Sequence, residues 1–198
     1  MTPKRPHPKY SQFRFDAGSL ALNFVTTVKH RGAQSRDLLS TPAALADWLR
    51  RACFDALDVE PSFQDVEEAL LLREAIYRAV RALIHNQTPQ ADDVNRINIT
   101  SAYSLAVPQI DTASYHLQWV STDPINACLA DIARNAVIVI GNGDRRRLKM
   151  CDNPSCQMLF FDRSFANRRR WCAMSICGNR AKVTLHRQRK KGADSECI

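Results

Sequence analysis

Cys151-Asp152-Asn153-Pro154-Ser155-Cys156 and, after fifteen intervening residues, Cys172-Ala173-Met174-Ser175-Ile176-Cys177 decide how the C-terminal part of this chain folds. Two close cysteine pairs across a hairpin-sized spacer bring four sulfurs to one point, where they can hold a zinc ion tetrahedrally at about 2.3 Å. The four-residue gaps are wider than the usual two but lie within the range of zinc sites. Asn153-Pro154 supplies the tight turn that the first pair needs. Met158 to Asp162 reads as a strand, Asp162 to Asn167 as its turn and Arg168 to Trp171 as the returning strand. From Ser175 onward the pattern favours a helix, with Val183 and Leu185 available to pack back on the hairpin. So short a segment cannot build a core of its own. Metal–thiolate bonds would supply the folding energy, on the order of 10 kcal/mol. Two disulfides or an iron–sulfur cluster would use the same four cysteines. A cytosolic chain disfavours the first, and the second has other usual spacings. One zinc ion on Cys151, Cys156, Cys172 and Cys177 is the expectation.

Composition frames that module. With 198 residues, 45% apolar and 24% charged, the chain can bury one ordinary core and carry a small appendage. No apolar run reaches the roughly 18 residues of a membrane span. The start, Met1-Thr-Pro-Lys-Arg-Pro-His-Pro-Lys9, is basic but has no apolar stretch behind it, so residues 1–12 read as a flexible arm rather than a signal peptide. A cytoplasmic protein with reduced cysteines and no membrane partner is expected. Charge is uneven. Residues 145–191 hold 14 Lys and Arg against Asp152 and Asp162, whereas the remainder holds 14 bases against 18 acids. A basic tail on a mildly acidic body points to a polyanionic partner: nucleic acid, anionic lipid or acidic protein.

The body, residues 13–143, reads as mainly α with a small β-hairpin, an α+β domain. Thr41-Pro42, Ser62 with Asp65, Thr88-Pro89 and Asp123-Pro124 each carry a helix-start signal. Ser104 to Ile110 and Tyr115 to Val120 favour strand around a polar turn, and Gly18 to Val28 favours helix. Gly141-Asn142-Gly143 ends the last body helix with residues tolerant of positive φ, and the domain boundary is placed at Gly141–Asp144. The finger then occupies 144–191 and a tail 192–198. On this division, replacing Cys172 by serine should unfold the tail and leave the body intact. Cys53 and Cys128 lie on apolar helical faces as small core residues. No catalytic constellation emerges. His30-Arg31 is either an exposed turn or a site for an anionic effector.

Cys177-Gly178-Asn179-Arg180-Ala181-Lys182, preceded by Arg170-Trp171-Cys172-Ala173-Met174, resembles the CGNR zinc finger, as do Cys151 to Cys156 and Phe161-Asp162-Arg163-Ser164. Phe15-Asp16-Ala17-Gly18-Ser19-Leu20-Ala21-Leu22-Asn23-Phe24-Val25-Thr26-Thr27 resembles the opening of the ABATE domain, which usually precedes that finger in stress-induced bacterial transcription regulators. Asn23 and Thr26 depart from the Asp and Asn expected there. The resemblance implies a DNA-binding regulator with a treble-clef-like four-cysteine zinc finger (knuckle, β-hairpin, helix). Its N-terminal domain would sense a small molecule or form a homodimer. Candidate nucleic-acid contacts are Arg168, Arg169, Arg170, Asn179, Arg180, Lys182, Arg187, Arg189, Lys190 and Lys191. Asn179 is open to base reading or a structural hydrogen bond, and Trp171 to shielding the metal or stacking on a base. Asn23, Thr27, His30 and Arg31 are the candidate ligand contacts. An RNA- or ribosome-associated protein with the same finger, or an enzyme with its site in the body, is the alternative.

Overall fold

The computed structural model describes residues 13–54, 57–142, 144–185 and 188. The arm at 1–12, the tail at 192–198, Gly143, and Arg187, Arg189, Lys190 and Lys191 lie outside the described residues, as does the side chain of Cys53.

The helix-start signals explain most of the body. Ser19 accepts from Leu22 N–H and opens α1 (Leu20–Val25). Thr41 and Pro42 open α2 (Pro42–Leu49), which runs on through a π-turn at Arg50–Phe54. Ser62 and Asp65 form a reciprocal capping box at the head of α3 (Phe63–Ile84). Asp123 accepts from Asn126 N–H ahead of α5 (Pro124–Gly141). The exception is α4 (Ala91–Ser101), which starts two residues beyond the Thr88-Pro89 signal. Gln90 occupies its cap position without a side-chain bond, and Asp92 and Asp93 in the first turn complement the helix dipole instead.

α3 is the organising helix. Val66, Ala69, Leu72, Ala75, Ile76, Ala79, Val80 and Leu83 recur at helical spacing and are all buried. α1, α2, α4 and α5 pack around it. With 18 residues and mean hydropathy 1.3, α5 is long and apolar enough by composition to cross a membrane. Here Ile125, Cys128, Leu129, Ile132, Ala133 and Ala136 find an apolar partner in the protein's own core. Burial pushes the Cys128 thiol up to about 12, as befits an inert core residue. At the end of α5, Asn142 has φ −69°, so no positive-φ residue closes the helix through that position.

Three small antiparallel pairs complete the fold. β1 (Val28–Lys29) pairs with β2 (Arg36–Asp37), a two-residue ladder that leaves no periodicity in the sequence. β3 (Val107–Ile110) pairs with β4 (Leu117–Val120) in the expected hairpin, with Pro108 opposite Trp119. β5 (Leu148–Met150) pairs with β6 (Leu159–Phe161). The partner of β6 is therefore the strand before the first cysteine pair, not residues 168–171. The latter return as extended chain, tied to the knuckle by a backbone bond from Asp152 N–H to Arg170 O, 3.0 Å. Beyond them the chain makes a π-turn at Met174–Gly178 and enters α6, residues 179–185. Val183 and Leu185 are half exposed on α6, so they do not pack back on the hairpin as the sequence suggests.

The β5–β6 hairpin lies on the body rather than apart from it. Leu148, Leu159 and Phe160 belong to the same core cluster as Phe24, Leu72 and Ile76. Phe161 N–H donates to Ala17 O at 2.7 Å across that junction. Gly18 makes the approach possible: its φ is +90°, and a Cβ there would run into the Phe161 carbonyl. Gly18→Ala should therefore destabilise the protein by about 1–3 kcal/mol, the cost of a non-glycine residue in this region of φ. Urea unfolding checks this, and an unchanged midpoint would refute the close approach.

Candidate metal centre

The four cysteines come from four local structures. Cys151 follows β5, and Cys156 ends the turn that connects it towards β6. Within that turn the Asn153 side chain accepts from Ser155 N–H, and Cys156 N–H donates to Asn153 O at 2.9 Å. Cys172 follows the extended return, and Cys177 lies in the π-turn, where its N–H donates to Ala173 O at 3.0 Å. Gly178 packs closely under Met174 and Trp171, and a Cβ there would push the flexible end of the exposed Met174 side chain aside. All four sulfurs lie within 4.8 Å of one another.

The spacing tests the metal directly. Sulfurs about 2.3 Å from a tetrahedral zinc are about 3.8 Å apart, whereas a disulfide needs about 2.05 Å. Cys156 and Cys172 sulfurs stand 3.8 Å apart, and those of Cys172 and Cys177 stand 3.6 Å apart. None of the four is joined in a disulfide. Cys151, Cys172 and Cys177 are buried and Cys156 is half-buried, which is the closed, all-sulfur environment of a structural zinc. Hydrogen bonds from Cys151, Cys156 and Cys177, with the nearby Arg14 charge, hold the Cys172 thiol far below its ordinary value. Bonding to Cys151 pushes the Cys156 and Cys177 thiols the other way, since a second or third thiolate needs a cation. A divalent ion with soft-ligand tolerance meets that need.

The surrounding residues show features that sequence reading missed. Arg14, 158 positions away, donates to the Cys172 sulfur at 3.3 Å while its other nitrogens hold Asp16. Gly32 lies against Pro154 and Gln157, so a body loop rests on the knuckle. Asp162 is fully buried and accepts from Lys149 Nζ (3.0 Å), Arg169 N–H (2.9 Å), Ser164 N–H (3.0 Å) and Ser164 Oγ (2.7 Å). Burial opposes its ionisation, but those donors outweigh burial and keep it well below the usual carboxylate range.

Family comparison agrees with this geometry. The profile of the ABATE domain, described as "Putative stress-induced transcription regulator", matches residues 18–143, nearly two thirds of the chain. The chain belongs to the ABATE family. The CGNR zinc finger profile matches residues 147–190 immediately after it. A search of curated proteins gave no match. The ABATE chain thus carries a CGNR finger whose Cys151, Cys156, Cys172 and Cys177 bind one zinc ion. Both families are of regulator and zinc-finger type, not enzymes.

The candidate nucleic-acid residues divide by environment. Arg168, Arg170, Arg180 and Lys182 differ from Arg169 in reaching solvent more freely. Arg170 pairs with Asp152 at 2.7 Å and covers the Trp171 ring, which is half-buried beside Gly178. Arg169 is half-buried over Phe160 and donates to Cys172 O. The Asn179 amide donates to Ser175 O at 3.3 Å, a bond within its own turn. The ligand candidates are dispersed. Asn23 accepts from Ala17 N–H. Thr27 donates to Phe24 O and accepts from the buried Arg73. Arg31 binds Glu74 through two nitrogens and stacks over Tyr77. Exposed His30, at φ 56°, lines a cavity of about 120 Å³ beside the metal site, with Arg14, Thr26, Met158, Arg180 and the ligands Cys156 and Cys177.

Proposed function

We propose that the protein is a cytoplasmic DNA-binding transcription regulator in which zinc fixes a cationic face against duplex DNA. The supporting observation is the placement of Arg168, Arg170, Arg180 and Lys182 at the surface of a scaffold that four thiolates hold together. Zinc with four thiolates carries a formal charge of −2, which Arg14 and Arg169 partly offset from within. The surface cations remain for phosphate. In this reading the ABATE domain senses a small molecule, and the His30 cavity is the candidate pocket. It is lined from the body side by His30 and Thr26 and from the finger side by Met158, Arg180 and the zinc ligands Cys156 and Cys177, so an occupant would touch both and lie against the metal site.

Duplex DNA should bind with an affinity that falls linearly in log salt, and Arg168→Ala and Arg180→Ala should each reduce the slope by about one. Fluorescence anisotropy with competing duplex RNA checks this. Affinity for RNA well above that for DNA would replace this reading by the ribonucleoprotein one, and salt-independent binding would sink both.

A further inference from the structure

Phe165 is the most exposed large apolar residue among those described, with a relative exposure of 104%. No packing among the described residues accounts for a phenyl ring there. Yet the turn that carries it is held tightly. Asp162 anchors the turn through Ser164 and Arg169, and Lys149 Nζ reaches Asn167 O at 2.6 Å. Arg147 donates to both Asp162 O and Ser164 O, at 2.9 and 3.0 Å. The Asn167 amide donates to Arg146 O at 3.2 Å, and Asn167 itself closes the turn at φ 46°. A buried carboxylate, a lysine and an arginine thus fix the position of a loop whose tip residue is bare.

The charge around that tip names its occupant. Arg163 and Arg168 flank the turn and are exposed, the exposed Arg146 adjoins it through its carbonyl to Asn167, and the nearby Asp144 is paired with Arg147. No acidic side chain follows Asp162 before the end of α6. An apolar wedge on a preorganised turn ringed by arginines has the make-up of a residue that enters a base step, while its neighbours bind the flanking phosphates. We propose that Phe165 inserts between base pairs of duplex DNA and kinks it. This rests on the DNA-binding reading above and specifies how the finger engages its partner. Preorganisation of the turn lowers the ordering cost of insertion.

The test uses the full zinc-loaded chain with a duplex that carries end labels for energy transfer and an internal 2-aminopurine. Wild-type protein should shorten the end-to-end distance and brighten the 2-aminopurine as its step unstacks. Phe165→Ala should bind roughly ten-fold more weakly and lose both signals while keeping its zinc and its melting temperature. Phe165→Leu should restore the kink, because a wedge needs bulk rather than an aromatic face. Phe63→Ala, which removes an exposed ring from the head of α3, should change neither signal. Unchanged affinity and bending in Phe165→Ala, with wild type binding normally, overturns the proposal. So does rescue by tyrosine but not leucine together with a preference for single strands. Failure of the wild type to bind any duplex sinks the DNA-binding reading itself, before a variant is made.

Discussion

Replacing Cys172 by serine should release the zinc and lower the melting temperature of the whole protein, by about 10 °C or more. Cys172 is fully buried, neighbours two other sulfurs at 3.6 and 3.8 Å, and receives the Arg14 guanidinium. Its loss leaves three thiols without their common partner and deprives the half-buried Arg14 of its sulfur acceptor, with Asp16 remaining. Structural zinc contributes on the order of 10 kcal/mol in finger peptides, comparable with the whole stability of a domain. Sequence division at residues 141–144 implies that only the tail should unfold. The packing argues otherwise, since Leu148, Leu159 and Phe160 lie in the core that α1 and α3 share. A destabilisation of about 3 kcal/mol reaching the body corresponds to about 10 °C for a chain of this length. Metal analysis and far-UV circular dichroism melts check both parts. Retention of a full equivalent of zinc would refute the ligand set, and a body melt identical to wild type would show that the hairpin contributes nothing to the core.

What the sequence made legible follows from how few solutions each pattern permits. Four cysteines in two close pairs converge in very few ways, so the ligands could be named without a fold. Ser62 with Asp65, and Thr41 or Asp123 before proline, similarly leave the backbone little choice. Thr88-Pro89 is the same signal with a weaker context: Ala91-Asp92-Asp93 places two carboxylates at the dipole, and the helix starts there instead. The strand beside β6 was illegible because three residues, Leu148-Lys149-Met150, are too few to show alternation behind a run of arginines. Arg14 was illegible for another reason. Its role depends on a contact 158 residues away, and nothing local marks it. Val183 and Leu185 mislead in the opposite sense, as apolar residues at helical spacing on a helix that leaves them half exposed. His30 and Arg31 adjoin in sequence but part in space: one lines a cavity, and the other is bound to Glu74 and Tyr77.

Asp162→Asn should cost about 3 kcal/mol at pH 7, the lower end for removing one partner of a buried charge pair. One carboxylate oxygen faces Ser164 N–H and Oγ, and the other faces Lys149 Nζ and Arg169 N–H. Whichever way the new amide turns, its NH2 meets donors on one side, so at least one of them is left without an acceptor. Lys149 retains some access to water, which moderates the loss. The pH dependence has a definite sign. The folded-state value of Asp162 lies below its unfolded value of about 3.9. Its contribution is therefore fully present above about pH 4 and is lost as pH falls through the folded value. The gap between wild type and Asp162→Asn should thus stay constant from neutrality down to about pH 5 and narrow only in stronger acid. Urea midpoints at several pH values, with zinc content measured at each to separate thiolate protonation, provide the check. A gap that already closes near about pH 6 would mean that the carboxylate is not stabilised as its donors require, and the preorganised turn beneath Phe165 would lose its anchor.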